Sequence, residues 1–351
     1  MSKNDSGRFF EDFRVGQILR HAIPRSVTEA DQTLYIALTG TRFALHSSDT
    51  FARGLGLPRA PLDDLLVFNL VFGRSVADIS LNAVANLGYA ACVFGVPVYP
   101  GDTLTAHSRV LGLRETASGK TGVVWVRTTG TNQRGETVLD YIRWVMVNKR
   151  DPAAPAPEPV TPDLPEAVSA ARLILPEGLS LAGYETELSG SADLYDDYEI
   201  GERIDHLDGM TLEDAEHQMA TRLYQNNARV HFDLHAAQDS RFGKRVVYGG
   251  HVISLARALS FNGLANAFRV AAINGGRHTS PTFAGHTIYA WSEVLEKIDL
   301  PDRTDVAALR LRTVATKDRP CADFPLFGPD RKLDPAVVLD LDYTVLMPRR
   351  G

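Results

Sequence analysis

The sequence predicts an α+β chain made of two tandem copies of one domain, each an antiparallel sheet packed beside a single apolar helix. Three observations predict it. The first is an internal repeat: FEDFRVGQILRH at 10–21 returns as YDDYEIGERIDH at 195–206, an offset of 185. The same offset carries Ser26 onto Thr211 and His46 onto His231, and YPGDTLTAHSRVLG (99–112) matches FAGHTIYAWSEVLE (283–296) at an offset of 184. The second is the separator DPAAPAPEPVTPDLP (151–165), whose six prolines and lack of a periodic apolar face read as an extended, semi-rigid linker. The third is that each half places one apolar helical run ahead of long alternating segments. A unit that occurs twice gives a pseudo-dimer in one chain rather than a solenoid. The expected division is 1–150, a linker and crossover at 151–189, and 190–351, with the two sheets joined edge to edge.

Each half begins with a short strand that ends near the repeated histidine, His21 or His206. VTEADQTLYIALTG (27–40) then reads as a helix with Thr28 as its N-cap. A loop carrying His46 or His231 follows. Next comes the apolar helix, LDDLLVFNLVFGRSVADI (62–79) or GHVISLARALSFNGL (250–264). Three or four long strands close the half. DTLTAHSRVLGLRE (102–115), GVVWVRTTGTNQ (122–133) and ETVLDYIRWVMVNK (136–149) alternate apolar with polar residues and are rich in Val, Thr and Trp. NQRGE (132–136) supplies a hairpin turn.

Composition bounds the function. A chain of 351 residues with 44% hydrophobic and 23% charged residues suits two globular domains. A net charge of −6 speaks against nucleic acid as a partner, although a local basic pocket for an anion is compatible with it. Cys92 and Cys321 lie far apart, so neither a disulfide framework nor a cysteine-spaced metal site is expected. MSKNDSGRFF lacks the apolar region of a secretory leader, and LLVFNLVFG (65–73) is too short to span a bilayer. A cytoplasmic protein without membrane contact is the expectation.

The order of elements, with FGVPVYPGDTL (94–104) and TNQRGETV (131–138), resembles the MaoC-like hotdog hydratases, and the duplication resembles their double-hotdog members. The resemblance covers roughly 10–150 and 190–348. It implies a sheet wrapped around a central helix, and reversible hydration of an enoyl-CoA thioester. It implies neither metal nor organic cofactor, since coenzyme A is part of the substrate. Within the group the chain looks most like members whose acyl chain ends in a free carboxylate.

The family motif D-x-N-x-x-H lies on the loop before the central helix, where Asp and His hold the water. Here the histidine persists in both halves, while Thr41 and Asn226 stand at the aspartate position and Phe43 and Ala228 at the asparagine position. The second half is the expected catalytic one. Gly249 and Gly250 begin its apolar helix and offer N–H groups to a developing thioester oxyanion, where the first half has Asp63 and Asp64. In YQNNARVHFD (224–233), His231 is the expected general base and acid. Asn226 or Asn227 would orient water or thioester, and Asp233 would polarise the imidazole. Arg229, with Arg42 as runner-up and Arg222 and Arg241 weaker, would pair with the substrate carboxylate.

Plainer roles stay open for each. His231 and His46 fit core or capping positions, Asp233 an N-cap, the two asparagines a turn, Gly249 and Gly250 a tight bend, and Arg229 a solvated surface. Two other functions are also compatible: a hotdog thioesterase using Asp63 or Asp64, and a non-catalytic acyl-CoA binding module. The partners expected are an acyl-CoA substrate and, between copies of the chain, a homodimer.

Overall fold

Period-two alternation of β-branched and aromatic residues builds the long strands, and each uses its apolar phase to cover a helix. The computed structural model describes residues 7–328 and 330–350; the first six residues, part of the stretch that shows no apolar leader, lie outside the described set. The first half contributes β1 (Ile18–Arg20), β2 (Arg25–Ser26), β3 (Ala83–Phe94), β4 (Thr103–Glu115), β5 (Thr121–Thr131) and β6 (Thr137–Asn148). The second contributes β7 (Arg203–Asp205), β8 (Met210–Thr211), β9 (Arg269–His278), β10 (Thr287–Asp299), β11 (Val306–Lys317) and β12 (Val337–Pro348). They form one sheet in the order β1-β4-β5-β6-β3-β9-β12-β11-β10-β7, with β2 on β4 and β8 on β10. The halves meet where β3 pairs antiparallel with β9, from Tyr89 opposite Gly276 to Val93 opposite Ala272. This is the α+β double hotdog.

The repeat is visible element by element. β1 and β7, and β2 and β8, stand 185 residues apart, as do the starts of the two central helices, Asp64–Ser75 and Gly249–Leu259. The repeated histidines are buried struts: His21 Nε2 lies 2.7 Å from Ser108 Oγ, and His206 Nε2 lies 2.8 Å from Ser292 Oγ. The helix after β2 spans Glu29–Thr39, and Thr28 at its N-cap gives both its N–H and its hydroxyl to Asp31. Residues 151–165 are extended coil, tied to the sheet by a bridge between Val160 and Leu113.

The first central helix is buried along its whole length, because the sheet covers one side and the second central helix the other. Glycine permits that approach. A Cβ on Gly250 would stand 2.1 Å from Asn69 Oδ1, and Asn69 Nδ2 instead donates to Ser254 Oγ at 3.0 Å. A Cβ on Gly73 would stand 1.9 Å from the carbonyl oxygen of Tyr224, so the loop that carries His231 rests on the first-half helix.

Candidate active site

The YQNNARVHFD loop leaves the helix Asp214–Leu223 through Gln225, whose φ of 53° turns the chain sharply. Asn226 is buried, and its Oδ1 accepts from Ala228 N–H at 3.0 Å, which locks the next turn. His231 then comes round so that its Nδ1 lies 2.8 Å from the carbonyl of Val246. A carbonyl only accepts, so Nδ1 carries the proton and Nε2 the lone pair. Nε2 has no protein partner among the described residues, and the ring lines a cavity of about 690 Å³. Burial pushes the imidazole down to about 4, against the pull of the Val246 carbonyl, so it is neutral near pH 7.

That cavity is shared between the halves. The second supplies Asn226, Ala228, Arg229, His231, Tyr248, Gly249 and His278; the first supplies Phe72, Asn86, Tyr89 and Arg143. No carboxylate is among the lining residues, while three arginines are: Arg143, Arg229 and Arg241. Several polar atoms in or beside the wall are buried with no partner among the described residues, including the Tyr248 and Tyr141 hydroxyls, Arg143 Nε and both amide atoms of Asn86. Native interiors rarely leave such atoms unpaired, so these are the groups of the wall with hydrogen-bonding capacity left for solvent or a ligand.

The first half shows why the second is open. His46 has the same clamp, its Nδ1 lying 3.2 Å from the carbonyl of Pro61, which is Val246 less 185. Its Nε2 meets Asp64 at 3.6 Å, and Asp64 also takes Arg269 at 3.3 Å and the Val270 N–H at 2.9 Å. Gly249 occupies the position equivalent to Asp64, so no carboxylate faces His231 from the start of the second central helix, where the first half has a paired one. Phe43, under the Arg257 guanidinium at 3.6 Å, fills space that Ala228 leaves free. What remains beside Arg257 is a void of about 10 Å³.

Several expected roles require correction. Asp233 accepts from Ala236 N–H at 3.0 Å and caps the helix Leu234–Gln238, so it does not polarise His231. Asn227 is exposed and does not line the cavity. Arg42 lies elsewhere, held by Asn262 Oδ1 at 2.7 Å and stacked on Phe261, and Arg222 is also absent from the lining. Gly250 is absent from it too, its Cα face pressed on Asn69. Its N–H and that of Gly249 are nonetheless unbonded to protein among the described residues, at a helix start whose N-cap, Tyr248, provides no side-chain cap. Asp63 caps Leu65 N–H at 2.9 Å; with Asp64 it belongs to the buried first-half network and does not line the cavity at His231, so neither carboxylate stands where a thioesterase would need it in that cavity. Arg143, Tyr248 and His278 line the cavity in addition to the residues expected from the sequence. His278, pushed down to about 4 by burial, packs its ring where a Gly249 Cβ would be.

Comparison with known proteins shows the family and the fold. The family model described as mesaconyl-CoA hydratase matches residues 1–331. The chain is 64% identical over 350 residues to the β-methylmalyl-CoA dehydratase of Chloroflexus aurantiacus, covering 100% of this chain and 99% of the relative. It is 56% identical over 347 residues to the mesaconyl-CoA hydratase of Cereibacter sphaeroides, covering 99% and 100%. Among solved structures, one described as a MaoC domain protein dehydratase from Chloroflexus aurantiacus superposes with a TM-score of 0.98 over 100% of both chains at 64% identity. A Mycobacterium tuberculosis protein described as a double hotdog fold superposes with a TM-score of 0.76 at 26% identity, covering 97% and 98%.

Proposed function

The chain belongs to the mesaconyl-CoA hydratase family, and we propose that its shared cavity adds water reversibly across the double bond of mesaconyl-CoA to give β-methylmalyl-CoA. One observation carries the site assignment: His231 is a neutral imidazole with Nε2 unpartnered in a cavity whose wall includes the start of the central helix. Nε2 takes a proton from a water held beside it with the help of Asn226. The water oxygen bonds to Cβ, and the π electrons move onto the thioester oxygen. The free N–H of Gly249, at the positive end of the helix, stabilises that oxyanion. The imidazolium returns its proton to Cα, so one O–H bond breaks while one C–O and one C–H bond form. Dehydration runs the same steps backwards.

This chemistry needs a base, an acid and an oxyanion site, so the proposal includes no metal and no organic cofactor, coenzyme A being only the handle of the substrate. A cytoplasmic location and a homodimer belong to the same reading. No helix among the described residues is long and apolar enough to cross a membrane. The test is to follow loss of conjugated-thioester absorbance with mesaconyl-CoA and crotonyl-CoA, with free thiol measured in parallel. Hydration without thiol release is the expected result. Thiol release would instead make the protein a thioesterase, and binding without turnover a carrier.

A further inference from the structure

Arg143 lies on β6 and is 0% exposed, yet its residue lines the cavity. The guanidinium stacks on Phe72 at 4.1 Å and is held by the Ser75 hydroxyl at 2.8 Å, with Ser80 Oγ at 3.4 Å. Nε has no acceptor, and no carboxylate among the described residues lies within ion-pair distance. A buried arginine is expensive without a counter-charge. The comparably buried Arg269 meets that cost with Asp64. Arg143 has only hydroxyls and the ring faces around it, and burial holds it below the usual arginine range.

We propose that Arg143 is the specificity-determining residue that receives the free carboxylate of the acyl chain. This rests on the reading of the cavity as a mesaconyl-CoA site. In β-methylmalyl-CoA the hydroxyl and the carboxylate share one carbon, so the carboxylate has to sit next to the water activated by His231. A run of ring contacts joins the two: His231 to Tyr248 at 5.6 Å, Tyr248 to Phe72 at 5.5 Å, and Phe72 to the guanidinium. The unpartnered Tyr248 hydroxyl stands in the same wall and supplies a further donor. Arg229 also lines the cavity but is exposed, and a solvated guanidinium pairs weakly. The carboxylate-free lining follows as well, because an aspartate at the Asn226 position would repel the substrate's own charge.

The test uses two inhibitors of matched chain length, succinyl-CoA, which ends in a carboxylate, and butyryl-CoA, which ends in a methyl group. Wild type is expected to bind succinyl-CoA more tightly. Arg143→Met is expected to weaken succinyl-CoA at least about 100-fold while moving butyryl-CoA less than about threefold. Equal weakening of both, or of neither, would overturn the assignment. Should Arg143→Met fail to fold, Ser75→Ala, which removes one support of the guanidinium, is read the same way with a smaller, severalfold selective loss expected and an unselective one contradictory. The two proposals fail separately. Wild type that does not hydrate mesaconyl-CoA defeats the function, whereas hydration with an unselective Arg143→Met defeats only the role of Arg143.

Discussion

On the proposed mechanism, Gly249 decides which histidine can work. Its counterpart Asp64 presents a carboxylate to His46 and is itself pinned by Arg269 and a backbone N–H. Gly249→Asp would place the same group before His231 and displace the His278 ring, which already stands 2.5 Å from a Gly249 Cβ. The variant is expected to fold, to lose at least about 100-fold in kcat/KM, and to raise the His231 pKa from about 4 by opposite-charge pairing, as read by ring proton titration. Full activity in a folded Gly249→Asp protein would remove the argument from asymmetry. The same imidazole sets the pH profile. It is basic only above its pKa, so the acid limb of kcat/KM for mesaconyl-CoA is expected near pH 4. An anionic substrate beside the ring favours the imidazolium, so the acid limb of kcat should lie higher. Coincident limbs would show that the bound carboxylate is not near His231.

At the scale of elements, the site depends on how closely the loop after Leu223 rests on the first central helix. Gly73→Ala puts a methyl group into the Tyr224 carbonyl, and backbone cannot swing aside. A destabilisation of about 1–3 kcal/mol is expected, together with a kcat loss larger than that for Gly250→Ala, whose clash is with the Asn69 and Tyr248 side chains rather than with backbone. Denaturant melts and steady-state kinetics read both. Much of this architecture was legible. Thr28, the two central helices and strands β4 to β6 follow from capping and alternation. β3 was not, because a seam strand buried on both faces shows no alternation: its last seven residues, Gly88–Phe94 without an exposed position, read as an apolar run. Asp233 was misleading because a carboxylate two residues from a histidine looks functional, yet it also begins a helix. Arg143 carries a readable signal in the sequence. Leu139, Tyr141, Arg143, Val145 and Val147 share the buried phase of β6, and a charge within an apolar phase needs a partner.

At the scale of the whole molecule, the continuous sheet across β3 and β9 and the shared cavity make the two halves one functional unit. Residues 190–351 alone would expose the β9 edge and lose the Phe72, Tyr89 and Arg143 wall. Acid sensitivity is also a property of the whole fold. His206, His231 and His278 are each pushed down to about 4 by burial, against about 6.5 in an unfolded chain. The unfolded state therefore binds more protons between those values, and the stability present above pH about 6.5 is lost as pH falls toward 4. Melting temperature should drop across that window, and His206→Gln should flatten the slope; an unchanged slope would show that the strut histidine does not contribute. On the proposed mechanism the second-half histidine performs the proton transfers, while the first half supplies cavity wall and Arg143 but no acid or base. The most direct measurement is kcat/KM for mesaconyl-CoA hydration by His231→Ala and His46→Ala, each normalised to folded protein. The expected result is a loss of about 10²–10⁴-fold for His231→Ala and less than about tenfold for His46→Ala. Equal losses in the two folded variants, or a larger loss at His46, would contradict it.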